Sequence, residues 1–228
     1  MNFSGAKKTD MSAAEVRIVY EDASLLVVDK PAGLAVETKR VAEEDLESLL
    51  KKRYPKDQSL SPITRIDQPV SGLVLFARTK EAAADLSRQL NEHTIRKKYR
   101  AFVSGSFESA KAAEERELRD RLMKDGRNNS SRVVKPGEKD YKNAKEAILF
   151  YKEVAPGELV IDLKTGRHHQ IRVQLANAGH PILGDYKYGN AESVAETKEK
   201  GITKLMLFAE ELSFRHPVTG KEICVRAD

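Results

Sequence analysis

"SPITRIDQPVSGLVLFART", residues 61–79, is the stretch on which the reading turns. Its second half, "LVLFA" over Leu73–Ala77, is an apolar run of strand length with no polar alternation, which predicts a strand covered on both faces. Its first half brings a lone carboxylate, Asp67, to a turn marked by Pro69 and Gly72, with Arg65 two positions earlier. In an extended segment residues two apart share a face, so this guanidinium and carboxylate can lie together. Spacing alone leaves two readings open: a structural salt bridge at a strand end, or a carboxylate turned into a cleft. An aspartate with the ordinary pKa of ~3.9 is ionised at neutral pH and can serve as a nucleophile without a separate base.

Working outward, "VRIVYEDASLLVVDKPAGLAV" predicts strands over Val16–Tyr20 and Leu25–Asp29 around a polar turn. "AEEDLESLLKKRY" spaces Leu46, Leu49 and Leu50 as one helical stripe ending before Pro55, and Thr79 is placed to cap a helix over "KEAAADLSRQLNE". "KKYRAFVSG" alternates as a strand on which Tyr99, Ala101 and Val103 share a face. From Ser106 to Lys145 the pattern breaks down into charge, with "DGRNNSSR" and "KPGEKD" as turn or loop material. "EAILFYKEV" and "ELVIDLKTG" form a predicted hairpin across "APG", and "HHQIRVQLANAGHP" a helix that ends at Gly179. "LMLFAEELSFRHP" and "EICVRA" supply closing strands. Strands in adjacent pairs with few helices between them predict an α+β fold, a mixed, mainly antiparallel β-sheet with packed helices.

At 228 residues the chain has the size of one large domain. The net charge of +5 is too small to identify a nucleic-acid partner, but residues 86–135 hold thirteen Lys/Arg against seven Asp/Glu, more than the whole surplus. Either a solvated face or an anionic ligand accounts for that run. Cys224 stands alone, which excludes an internal disulfide and a Cys-pair zinc site and fits a reducing compartment, with the cytoplasm as default. The opening "MNFSGAKKTDMSAAE" lacks a signal-peptide core, and no apolar run approaches the ~20 residues of a membrane helix, so residues 1–15 are expected to be a disordered terminus and no membrane partner is expected.

The second dense stretch is "KTGRHHQIRVQLANAGHPILGDYKYG", residues 164–189. His168, His169 and His180 invite a metal, yet adjacent histidines cannot both face one ion from a helix, and no HExxH-type spacing exists. Arg167 and Arg172 are five apart, ~140° around a helix, so one faces a cleft if the other faces solvent. Tyr99 among Arg96, Lys97, Lys98 and Arg100 suits a base stacked on a ring beside cations that hold phosphates, and equally suits ordinary strand packing. A glycosidase would need a second carboxylate opposite Asp67, and the pair Glu43 and Glu44 falls in an exposed helix start.

"RIDQPVSGLVLFART", "KKYRAFVSG", "TGRHHQIRVQLANAGHPILGDYKYG" and "LFAEELSFRHP" stand in the order and at the spacing of the RNA pseudouridine synthases of the RluA family, and the chain resembles that family from about Val16 to Val225. The resemblance implies the pseudouridine synthase fold with a central catalytic cleft over residues 16–228. It also implies an isomerase that breaks the C1′–N1 bond of a uridine in ribosomal or transfer RNA and rejoins the base through C5, with no cofactor and no metal. Asp67 matches the family's aspartate nucleophile, whether it attacks the sugar, adds to the ring or assists elimination. Arg172 matches the arginine that pairs with it, Tyr99 the aromatic that stacks on the base, and Arg65 an arginine associated with RNA and the flipped-out nucleotide. Leu207 is the matching wall residue of the late strand.

Departures from the family pattern stand at Thr64 (commonly His), Val70 (commonly Thr), His168 (commonly Thr or Ser), Gln174 (commonly His) and Phe208. Fifteen residues precede Val16, so the resemblance points to a member without the S4-type RNA-binding domain, with the basic run 86–135 supplying more of the RNA contact. A monomer is expected. Two rival readings remain: a non-catalytic RNA-binding or ribosome-assembly factor on the same fold, and a hydrolase with a histidine-bound metal.

Overall fold

The computed structural model describes residues 16–38, 43–105 and 114–227. The expected disordered segment 1–15 lies outside the described residues. β1 (Arg17–Glu21) and β2 (Leu25–Lys30) pair antiparallel around a turn in which the Asp22 carboxylate accepts hydrogen bonds from the backbone of Ser24 and Leu25. An aspartate that bonds its own downstream backbone is what makes this polar tripeptide a tight turn. α1 (Leu46–Arg53) starts at the first leucine of the stripe, where Asp45 caps it by accepting from the backbone N–H of Ser48. Its buried stripe is Leu46, Leu49 and Leu50.

β3 (Ser61–Pro62) leads through the Asp67 turn into β4 (Ser71–Ala77), which is buried along nearly its whole length, as its unbroken apolar run predicts. Thr79 caps α2 (Lys80–Asn91), and β5 (Arg96–Phe102) buries Lys97, Tyr99 and Ala101 on one face. Next come β6 (Arg116–Asp125), β7 (Ser130–Val133), and the hairpin of β8 (Lys145–Ala155) and β9 (Glu158–Leu163). α3 (Gln170–Asn177), α4 (Ala191–Glu199), β10 (Leu207–Arg215) and β11 (Glu222–Arg226) complete the described chain.

All strands belong to one mixed sheet in the order β1-β2-β4-β10-β5-β9-β8-β6-β7, with β3 beside β4 and β11 beside β10. Among the described residues every strand pairing is antiparallel except one: β10 runs parallel to β4, with Phe208 opposite Ser71 and Ala209 opposite Gly72. Gly72 has φ +116°, and a Cβ there would stand 2.2 Å from the carbonyl oxygen of Ala209. Only glycine lets the two backbones approach so closely, so this residue makes the seam between the two halves of the sheet. The seam positions the site: it sets the turn before β4 next to β10, which pairs with β5 on its other edge.

Two stretches differ from the sequence expectation. Residues 116–133, where the sequence pattern shows only charge and turn material, are a paired strand hairpin whose turn falls within "DGRNNSSR". β6 buries only Leu122, and its charges pair across solvent-facing positions, Arg119 with Glu117 and Glu146, so no apolar alternation marks it. α4 buries only Ser193 and Thr197 and therefore shows no apolar stripe. The basic run is also less available than its count implies. Lys98 pairs with Glu211, Arg100 with Glu158 and Glu210, and Arg132 with Glu138 and Asp140. Among the described residues no helix is long and apolar enough to cross a membrane.

Candidate active site

The Asp67 turn is closed by a hydrogen bond from the backbone of Val70 to the carbonyl of Asp67, at 3.0 Å. It is tied to the end of β2 from below. Lys30, fully buried, donates to the carbonyl oxygens of Pro31, Leu34 and Gln68 at 3.0, 2.7 and 3.1 Å. Three N–H groups meet three acceptors, the condition under which a buried ammonium is tolerated. Burial draws its pKa down to about 7 against the opposing pull of Asp67 and Asp29. On the approach side, the hydroxyl of Thr64 accepts from the backbone of Leu75 at 2.9 Å, which pins the segment before Asp67 to β4.

From the other side comes α3. Its buried face is polar: Gln170 donates to the carbonyl of Ile148 and to Gln174, and Gln174 donates to Asp120 and to the carbonyls of Leu118 and Ala147. These glutamines fix the helix against β6 and β8, so the direction in which Arg172 leaves it is set. Arg172 is 5% exposed. Its Nε and Nη2 donate to the two carboxylate oxygens of Asp185 at 2.7 and 2.8 Å, and its Nη1 donates to Asp67 Oδ2 at 3.3 Å. The ring of Tyr188 lies 5.1 Å from the guanidinium carbon. Burial alone would lower the pKa of Arg172, but hydrogen bonds and charge from Asp185, joined by Asp67, overcome it and hold the group more firmly charged.

His169 sits at the start of α3 in a left-handed conformation, φ +55°, uncommon for a residue with a side chain. This kink turns its ring onto the site: Nε2 is 3.7 Å from Asp67 Oδ2, and Nδ1 is 2.7 Å from the hydroxyl of Tyr188. Burial outweighs the attraction of Asp67 and, with the repulsion of Arg172, lowers its pKa to about 4, so the imidazole is neutral near pH 7. His168 stacks on it at 3.7 Å and bonds to Ser131 and Asn129 of the β6–β7 hairpin. No group of three His, Cys, Asp or Glu side chains among the described residues could hold a metal.

These groups line a cleft of about 250 Å³ in which Asp67, Arg172, Arg65, Tyr99 and Leu207 all take part. That volume lies near the lower end of the ~300–1,000 Å³ range of small-molecule sites. Val70, Leu163 and Leu207 give it apolar walls. Tyr99 is buried in β5, and burial, followed by the charge of Asp67, raises its phenol pKa.

The sequence-selected residues therefore converge, with one adjustment: Arg65 does not pair with Asp67. It points outward to Glu37 at 2.9 Å. Arg167 precedes α3 rather than lying on it, so the helical angle between Arg167 and Arg172 does not apply. Asp185 and Lys30 also belong to this region, and sequence reasoning passes over both, while His169 and Lys97 enter it only as a candidate metal ligand and as part of the basic patch around Tyr99. "LGD" at 183–185 carries no periodic signal, and nothing local shows that it meets a helix thirteen residues back. A lysine at a strand end, as at Lys30, ordinarily reads as exposed.

Comparison with known proteins identifies relatives of nearly the whole chain. A family model described as RNA pseudouridylate synthase matches residues 24–177. A ribosomal large subunit pseudouridine synthase C from Buchnera aphidicola is 34% identical over 217 residues, covering 92% of this chain and 66% of its own length, so the chain spans about two thirds of that relative. A tRNA pseudouridine synthase C from Haemophilus ducreyi is 33% identical, covering 93% of this chain and 90% of its own. Among solved structures, Human RNA Pseudouridylate Synthase Domain Containing 1 superposes with a TM-score of 0.75 at 22% identity, covering 96% of this chain and 85% of that one, a likeness of fold.

Proposed function

The chain belongs to the RNA pseudouridylate synthase family, and from that premise we propose that it isomerises a specific uridine of a structured ribosomal or transfer RNA to pseudouridine, with Asp67 as nucleophile. One observation carries the assignment of roles: two residues 105 positions apart, Asp67 and Arg172, meet at 3.3 Å inside one cleft. The reaction needs the C1′–N1 bond broken and a C1′–C5 bond made, while N1 gains a proton and C5 loses one. Atoms and charge balance without a redox partner, so the protein's part is to position, shield and hold charge. Asp67 does the covalent or eliminating work. Arg172, anchored by Asp185, keeps that carboxylate aimed.

A uracil stacked in a helix hides its glycosidic bond, so the target nucleotide must be flipped out. Tyr99 supplies the surface on which the base stacks, and Arg65, on the rim, supports the nucleotide and the displaced strand. The detached base must turn without leaving. Val70, Leu163 and Leu207 offer walls that enclose it without hydrogen bonds that would fix one orientation. Residues 16–228 form the catalytic domain in this reading, a monomer that works in the cytoplasm on RNA, apart from any membrane.

The test is to incubate the protein with RNA from cells that lack its gene and to map pseudouridine. New pseudouridine at a defined position is expected from the wild type, and Asp67→Ala should lose at least ~10⁴-fold in rate. Absence of any new site, or full activity of Asp67→Ala, would overturn the proposal. Rescue of a deletion phenotype by Asp67→Ala would point instead to the non-catalytic assembly role.

A further inference from the structure

Two lysines are buried near the cleft, and their surroundings differ in kind. Lys30 is closed on itself, each ammonium hydrogen taken by a backbone carbonyl. Lys97 is 8% exposed and lines the cleft, yet among the described residues no hydrogen bond or ion pair reaches its ammonium. The one opposing influence is the more distant charge of Asp162, which does not offset desolvation, so its pKa is lowered. The ammonium opens into the cleft largely stripped of water and with no partner among the described residues, a state that an anionic ligand in the cleft would complete.

The neighbours define the missing ligand. Gly166 leaves its side-chain position open beside the ammonium: a Cβ there would stand 3.6 Å from Lys97 Nζ. Arg167 follows at once and also lines the cleft; its Nε donates to the carbonyl of Glu146 at 2.8 Å, and no carboxylate pairs with its guanidinium among the described residues. Arg172, by contrast, is already held by two aspartates, and Arg65 is paired with Glu37. Lys97 and Arg167 are thus two cations lining the cleft, both next to Gly166, that no carboxylate of the described residues pairs with. A neutral base calls for no such pair, whereas a phosphodiester presents one negative charge on two free oxygens.

We propose that Lys97, with Arg167 beside it, forms a phosphate subsite that grips the RNA backbone next to the target nucleotide. The subsite rests on the isomerase reading above and adds to it a means of drawing the flipped nucleotide in. Lys97 stands two residues from Tyr99 on the same face of β5, ~7 Å along the strand, about the distance between the ring that holds a base and a group that holds the adjoining phosphate.

Binding measured against salt tests this without turnover. The probe is a single-stranded cytidine oligomer with one central uridine, which has no stacked helix to open. For the wild type, log Kd should change with log salt more steeply than for Lys97→Met, by about 0.7, the contribution of one phosphate contact in single strands. Affinity at low salt should fall roughly tenfold, the loss expected for one charge-assisted hydrogen bond. A second arm starts from the wild type: a neutral methylphosphonate beside the uridine should produce at least the same loss, and in Lys97→Met the further loss should be smaller, limited to the share that Arg167 keeps.

Unchanged affinity and slope in Lys97→Met would overturn the proposal. So would equal weakening for phosphate and methylphosphonate probes at unchanged slope, which would assign Lys97 to the base. A protein that shows the expected slope change and makes no pseudouridine would keep the subsite and remove the isomerase reading, so the two failures are distinct.

Discussion

Two segments meet at the cleft, the turn at 63–70 and the helix entry at 165–172, and each brings an arginine near Asp67. On the turn, the Arg65 side chain is 62% exposed and spends its charge on Glu37, itself open to solvent. At the helix, the Arg172 side chain is 6% exposed, fixed by a two-point contact to Asp185, and aimed at Asp67 by a helix whose buried glutamines hold it to the sheet. The closer arginine in sequence is thus the weaker partner. In water-exposed surroundings an ion pair gains about 0–1 kcal/mol and sets no geometry; buried and doubly bonded, it acquires a definite direction. Proximity along the chain offers a carboxylate a neighbour, but burial with a third group gives it an oriented partner.

This contrast can be broken by experiment. Arg172→Ala should have the larger effect: it leaves Asp185 buried without its partner, at a cost of ~3–5 kcal/mol in stability. In a folded fraction it should lower the rate of pseudouridine formation by ~10²-fold or more while RNA affinity changes much less. Unfolding in urea and separate binding and single-turnover assays would measure these effects. Equal losses in affinity and rate would mean that Arg172 binds RNA rather than orienting Asp67.

A smaller effect is expected at His169. Its pKa is about 4 in the folded protein against ~6.5 in an unfolded chain. Between those values the unfolded chain binds more protons, so its contribution to stability is intact above pH ~6.5 and is lost as pH falls toward about 4. His169→Gln should flatten that part of the stability profile. If the wild-type and variant slopes coincide over the window, the imidazole is not held neutral by its place against Arg172 and Tyr188. Smallest of all should be Arg65→Ala, within ~0.5 kcal/mol of wild-type stability because its pair with Glu37 is exposed. Its consequence should appear in RNA binding, and a loss above ~2 kcal/mol in thermal or urea unfolding would show that the turn depends on it.

The two segments also differ in how far they could be read in advance. Leu73–Ala77 and the Leu46, Leu49, Leu50 stripe announce a buried strand and an amphipathic helix because their burial repeats at the period of the element. β6 shows no readable pattern because its alternate positions are charged pairs at the surface, and α4 leaves no trace because its buried residues are Ser193 and Thr197. α3 was recognised, but its start was placed too early: His168 and His169 precede it, and the left-handed bend at His169 has no signature in residue type.

The amino-acid sequence by itself determined the α+β class, most strand and helix positions, and the placing of Asp67 on a turn before a fully buried strand. It also carried, through the order of its motifs, the likeness that singled out Arg172, Tyr99 and Leu207. Only the tertiary structure decided that β4 and β10 join in parallel across Gly72, that Arg172 is anchored by Asp185, that Arg65 faces away, and that Lys97 is buried with its charge unanswered. The division has a physical cause. Periodicity and turn chemistry act between residues a few positions apart and are written in the local order of side chains. Which charge meets which depends on surfaces brought together from distant parts of the chain, and burial then multiplies the consequence of each pairing.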